Sequence, residues 1–127
     1  MLLVEDDEAV RRLAGEALRR AGYRVAEASA GEAALEIVRN AARPIDLLIT
    51  DVVLPGIHGG DLWREAELLR PELRVLFISG YPADVAANRG LLDPAVEFLA
   101  KPFKPAALVE RVRAVLDEPD RVGDAVA

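Results

Sequence analysis

Short apolar runs alternate with amphipathic stretches along this chain, and no other feature narrows its fold as far. Met1–Val4, Tyr23–Ala28, Ile45–Thr50, Arg74–Ser79 and Ala95–Ala100 read as strands. The segment IDLLIT over 45–50 is almost continuously apolar, as in a parallel strand covered on both faces. Between the strands lie helical patterns. Val10, Leu13, Ala14, Ala17 and Leu18 share one face, and Ala21-Gly22 ends that helix. Gly31–Ala41 turns Ala34, Ile37, Val38 and Ala41 inward and is broken by Pro44. Asp61–Arg70 stops at Pro71, and Tyr81–Arg89 is a shorter, weaker helix. Pro105 suits the first turn of the last helix, whose stripe is Leu108, Val109, Val112, Val115 and Leu116. Strict alternation of five strands with five helices predicts right-handed crossovers and a doubly wound α/β fold around a five-stranded parallel sheet. The predicted domain runs from 1 to 116, with a polar tail over 117–127.

A chain of 127 residues that is 52% hydrophobic matches one domain with a substantial core. It has no cysteine, which excludes disulfides, iron–sulfur clusters and thiolate zinc sites and fits a cytoplasmic protein. A net charge of −6 argues against nucleic-acid binding by this domain and suits docking on another protein. No apolar run reaches the roughly 18 residues of a membrane span, and no basic, apolar leader opens the chain, so no membrane contact is expected of this domain. Fourteen arginines stand against two lysines, and both lysines fall in the segment KPFK. A lysine kept against that preference is a candidate for a task a guanidinium cannot perform.

Ligands of such sheets sit beyond the carboxyl ends of the strands. Glu5, Asp6 and Asp7 follow the first strand, Asp51 the third, Ser79-Gly80 the fourth and Lys101-Pro102 the fifth. Each has a plainer reading by itself. Asp6 or Asp7 caps a helix, Asp51 and Ser79 are turn residues, and Lys101 is a surface charge. Their joint arrival at one sheet edge is harder to explain as structure alone. Crowded carboxylates repel unless a cation is present, and Mg²⁺ favours a few carboxylates with water and phosphate oxygens. An ammonium and a hydroxyl add the charge neutralisation and positioning that phosphoryl transfer needs. Asp is among the few side chains that form a covalent phosphoryl intermediate.

The segments LLVEDDEAVRR, IDLLITDVVLPGIHG, VLFISGY and FLAKPF, at their spacing, resemble the receiver domain of two-component response regulators from Met1 to about Leu116. The resemblance implies a flavodoxin-like sheet of strand order 2-1-3-4-5. It implies that Asp51 is the phosphoacceptor, taking its group from a histidine kinase or a histidine phosphotransfer domain. Asp6 and Asp51 would ligate Mg²⁺ directly, with the Val53 backbone carbonyl as a third ligand and Glu5 acting through water. Asp7 is the extra acid, facing the loop or capping the first helix. Lys101 stands at the lysine position, followed by a cis bond to Pro102, and Ser79 and Phe98 form the switch pair. Phe98 lacks the hydroxyl of a tyrosine at that place, so no output hydrogen bond comes from it. The short, Ala-rich fourth helix weakens the case for a weak homodimer. His58, in the loop after Asp51, reads as an exposed loop residue and not as a phosphoryl relay.

The leading expectation is a phosphoacceptor module that changes shape, and that is not itself an enzyme beyond gaining and losing its own phosphoryl group. Kinase activity is expected only within a larger hybrid histidine kinase. A phosphatase with an Asp nucleophile needs a second acid two residues on, where this chain has Val53. A phosphorylation-independent interaction module does not explain the set Asp51, Asp6 and Lys101. The run SGYPADVAANRGLLDPAVEFLAKPF looks like the hybrid-kinase type, and the start at the first strand suggests an excised domain. A free-standing single-domain regulator is the alternative.

Overall fold

Leu2–Val4 (β1), Ala26–Ala28 (β2), Leu47–Asp51 (β3), Arg74–Ser79 (β4) and Glu97–Ala100 (β5) form one parallel sheet in a computed structural model that describes residues 1–80 and 97–118. The strand order is β2-β1-β3-β4-β5, as the resemblance implied. The helices are Glu8–Arg20 (α1), Gly31–Arg39 (α2), Gly59–Leu69 (α3) and Pro105–Asp117 (α4). The short helix expected over 81–89, residues 95–96 of the expected fifth strand and residues 119–127 of the tail lie outside the described residues.

Alternate residues of each strand feed two apolar layers, which is why the central strands read as unbroken apolar runs. Leu2, Val4, Leu48, Val75 and Phe77 face α2 and α3, where Leu35, Val38, Leu62 and Trp63 meet them. Leu3, Leu47, Ile49, Leu76 and Ile78 face α1 and α4, where Leu18, Leu108 and Val112 close the second layer.

Several boundaries differ from the expected ones, each for a local reason. β2 is three residues long because its neighbour β1 pairs only over Leu2↔Ala26 to Val4↔Ala28. Tyr23 and Val25 instead pack against the α1–α4 layer. α2 ends at Arg39 because Asn40 leaves the helical region, and Arg70 holds the carbonyls of Val38 and Asn40 at 3.1 and 2.8 Å. α3 begins at Gly59, earlier than expected, because His58 caps it. α4 runs through Asp117, one residue past its expected apolar stripe.

Candidate functional site

The sheet ladder carries the key side chains to one edge. Glu5 follows β1, and its N–H donates to the Ala28 carbonyl at 3.1 Å, so its side chain turns inward with only 1% of the residue exposed. Asp51 is the last residue of β3 and is 5% exposed. The expected strand stopped at Thr50, but Asp51 still pairs with Ile78. Ser79 ends β4, and its carbonyl accepts from the Lys101 N–H at 2.8 Å, which places Lys101 directly beyond β5.

These placements bring opposite charges into contact. Lys101 Nζ lies 2.8 Å from Asp51 Oδ1 and 2.9 Å from Glu5 Oε2. Oxygens of Glu5, Asp6 and Asp51 all lie within 4.8 Å of one another. Asp6 is exposed and opens the cluster onto a cleft of about 660 Å³. Asp51, Ser79 and Lys101 share that cleft, with Leu13 and Phe103 on its apolar side.

Burial, together with the hydrogen bond and repulsion from Glu5, pushes Asp51 from an ordinary 3.8 up to about 8 against the pull of Lys101. Burial also works against the charge of Glu5, but bonds from Asp51, Lys101 and the Asp7 N–H outweigh it and hold Glu5 below its ordinary value. Lys101 loses hydration too, yet the two carboxylates hold it above its ordinary range. Without a cation, then, the cluster keeps a proton that a full set of carboxylates would give up. The buried Glu5 Oε2 has the Lys101 ammonium against it at 2.9 Å. An all-oxygen donor set of three carboxylates facing a single ammonium fits a hard divalent cation such as Mg²⁺.

The remaining expected residues divide clearly. Asp7 is the N-cap of α1, its Oδ1 accepting from the N–H groups of Ala9 and Val10 at 2.9 and 3.2 Å. Val53 sits in the segment after β3 with its side chain exposed, lining the cleft. Phe98, in β5, is part-buried and stacks on Phe77 with ring centroids 5.4 Å apart. The Lys101–Pro102 bond is cis. The reading of His58 as an exposed loop residue is corrected. It is half-buried, and its Nδ1 accepts from the Gly60 N–H at 3.1 Å, because the first turn of α3 needs an acceptor there.

Gly59 was not anticipated as a site residue. A Cβ there would overlap the Asp51 carbonyl and come within 2.8 Å of the Val52 carbonyl. Its N–H donates to that Val52 oxygen at 2.9 Å. Only a glycine lets α3 start this close to the end of β3, and the pair Gly59-Gly60 was the available signal.

The family described as the response regulator receiver domain matches residues 1–113 of the chain. The chain is similar to the sensor kinase CckA of Brucella abortus (strain 2308), 38% identical over 120 residues, covering 94% of this chain and 13% of that protein. It is similar to the response regulator receiver protein CpdR of the same organism, 38% identical over 117 residues, covering 91% of this chain and 95% of that one. So the chain spans a small part of one relative and nearly all of the other. Among solved structures, the receiver domain of the hybrid histidine kinase CckA is similar with a TM-score of 0.76 and 43% identity, covering 91% of this chain and 97% of that one. A CheY-like receiver domain protein from Methanospirillum hungatei JF-1 is similar with a TM-score of 0.80 and 27% identity, covering 91% of each chain. No helix among the described residues is long and apolar enough to cross a membrane.

Proposed function

This chain belongs to the response regulator receiver domain family of two-component signalling, and on that premise we propose that Asp51 accepts a phosphoryl group from the phosphohistidine of a histidine kinase or histidine phosphotransfer domain. The observation that carries the reading is the double contact of Lys101 with Asp51 and Glu5, beside Asp6 at an open cleft. Lys101 holds Asp51 Oδ1, which leaves Oδ2 to attack phosphorus in line with the leaving imidazole. The new O–P bond forms as the N–P bond breaks, and the electron pair of the broken bond stays on the imidazole nitrogen. Asp51 must be ionised to attack, so its proton leaves before transfer. Mg²⁺, held by Asp6, Asp51 and the Val53 carbonyl with Glu5 acting through water, would neutralise the carboxylates and the transferring oxygens. After transfer, Lys101 pairs with one phosphoryl oxygen and the Ser79 hydroxyl donates to another. In this reading the domain is a stoichiometric acceptor and not an enzyme, cytoplasmic in location, with no nucleic-acid contact of its own.

The similarity to the CckA receiver favours a place within a hybrid kinase. The near-complete coverage of CpdR favours the free-standing alternative. The chemistry is common to both. Incubation with Mg²⁺ and a small phosphodonor, read by intact mass, tests it. Wild type gains one phosphoryl group and Asp51→Asn gains none; equal labelling of the two would overturn the assignment.

A further inference from the structure

We propose that Arg11 and Glu27 form a strut that positions the Glu5–Asp6 peptide and so sets the Mg²⁺ affinity of Asp6; this inference rests on the metal reading above. The β1–β3 pairing ends at Val4↔Thr50, so the Glu5 carbonyl lies beyond it. That carbonyl accepts from Arg11 Nη1 at 2.8 Å. Arg11 Nε reaches Glu27 Oε1 on β2 at 3.5 Å, and the other oxygen of Glu27 is held by Arg19 Nη1 at 2.8 Å. Arg19 also donates to the Val25 carbonyl at 3.0 Å. A continuous chain of polar contacts therefore runs from β2 to the peptide between the two acids. Only a forked, planar cation serves two such partners from fixed positions.

The peptide unit is planar, so holding the Glu5 oxygen also holds the Asp6 nitrogen and the direction in which Asp6 leaves the backbone. The sequence makes room for this strut. Gly15 sits inside α1, where glycine is worse than alanine by about 1 kcal/mol. A Cβ there would stand 3.0 Å from Glu27 Oε2 and 3.1 Å from Arg19 Nη1. The neighbouring Arg12 differs: its partner is Glu8 at 3.0 Å, and both side chains are exposed. Arg11 is thus a positioning residue, acting on the cluster through Glu5.

Calorimetric Mg²⁺ titration of the full chain decides the point. By Coulomb's law alone, removing a cation beside a cation site would tighten Mg²⁺ binding. The strut predicts the opposite sign: Arg11→Gln weakens binding about tenfold, as loss of an outer-shell partner does. Glu27→Gln weakens it to a smaller degree, and the double variant is no worse than Arg11→Gln because both cut one strut. Arg11→Lys does not restore affinity, and Arg12→Gln binds as wild type. The Mg²⁺ concentration for half-maximal phosphorylation rises by the same factor, while the rate at saturating Mg²⁺ is kept. Unchanged or tighter Mg²⁺ binding by Arg11→Gln, with wild type binding normally, overturns this inference alone. If Arg11→Gln does not fold, Arg11→Lys gives the answer: charge is kept, so weaker Mg²⁺ binding is expected from the strut alone, and wild-type binding there overturns it. Absence of Mg²⁺ binding by wild type overturns the metal reading and the strut with it.

Discussion

Asp6 and Asp7 are adjacent in sequence but their carboxylates have different partners. The Asp7 carboxylate is committed to two backbone N–H groups of α1, whereas Asp6 faces the cleft with Asp51. Asp7→Ala should therefore lose about 1 kcal/mol of stability with its cap and keep Mg²⁺ binding. Asp6→Ala should lose at least about tenfold in Mg²⁺ affinity with little loss of stability. Mg²⁺ titrations and urea melts of both variants check this, and a larger Mg²⁺ loss at Asp7 would move the ligand by one residue. The raised pKa of Asp51 has a consequence for stability. A group whose folded pKa exceeds its unfolded value stabilises below the unfolded pKa, and that stabilisation is lost as pH rises through the folded value. For Asp51 the window lies between 3.8 and about 8. The shift of Glu5 is downward and acts below the ordinary carboxylate range, outside that window. With a chelator present, stability should fall from about pH 5 to about pH 8, with a slope of up to about 1.4 kcal/mol per pH unit. Saturating Mg²⁺ should flatten that slope, since the cation displaces the proton. Urea melts across the range with and without Mg²⁺ measure it, and identical profiles would contradict the shared-proton site.

The β4–β5 pair is the element through which phosphorylation would be felt. Phe77 pairs with Phe98 and Ser79 with Ala100 in register, so Ser79 lies two residues beyond the Phe77–Phe98 stack. The Phe98 carbonyl is held by Arg111 of α4 at 3.0 Å, which ties the β5 backbone to that helix. A phosphoryl group brings about −1.5 to −2 of charge and strong acceptor oxygens to Asp51. Drawing the Ser79 hydroxyl towards one of them would move the end of β4 against β5, and the Phe98 ring would then turn inward. Ser79→Ala should accept phosphate at Asp51 yet leave Phe98 in its resting state. NMR of the two proteins with a beryllofluoride mimic distinguishes them, and a full wild-type shift pattern in Ser79→Ala would contradict the coupling. Much at this level was readable from sequence, because buried parallel strands need apolar residues on both faces and IDLLIT and RVLFIS say so directly. Helix starts were less readable. Whether Asp6 or Asp7 caps α1, and that a histidine nitrogen caps α3, depends on backbone angles that composition does not carry.

Across the whole molecule, a single sheet gathers residues from positions 5 to 101 at one edge; the strand ends pointed to Glu5, Asp6, Asp7, Asp51, Ser79 and Lys101, and the family resemblance singled out Glu5 and Asp6 from the three acids. Spacing along a strand fixes where its last side chain lies, so that part of the site follows from pattern. Gly59 escaped because its role is to have no side chain where α3 meets the Asp51 carbonyl, a close approach between segments that no periodicity records. The length of β2 escaped because it is set by β1, its partner, and not by its own residues. All these features bear on one claim, that the domain carries its phosphoryl group as an acyl phosphate on Asp51. Borohydride reduction converts an aspartyl phosphate to homoserine, which peptide mass spectrometry locates by residue. After treatment with Mg²⁺ and a small phosphodonor, homoserine is expected at position 51, and with a chelator none is expected. Homoserine at Asp6, or a phosphoryl group found instead on His58, would contradict the account.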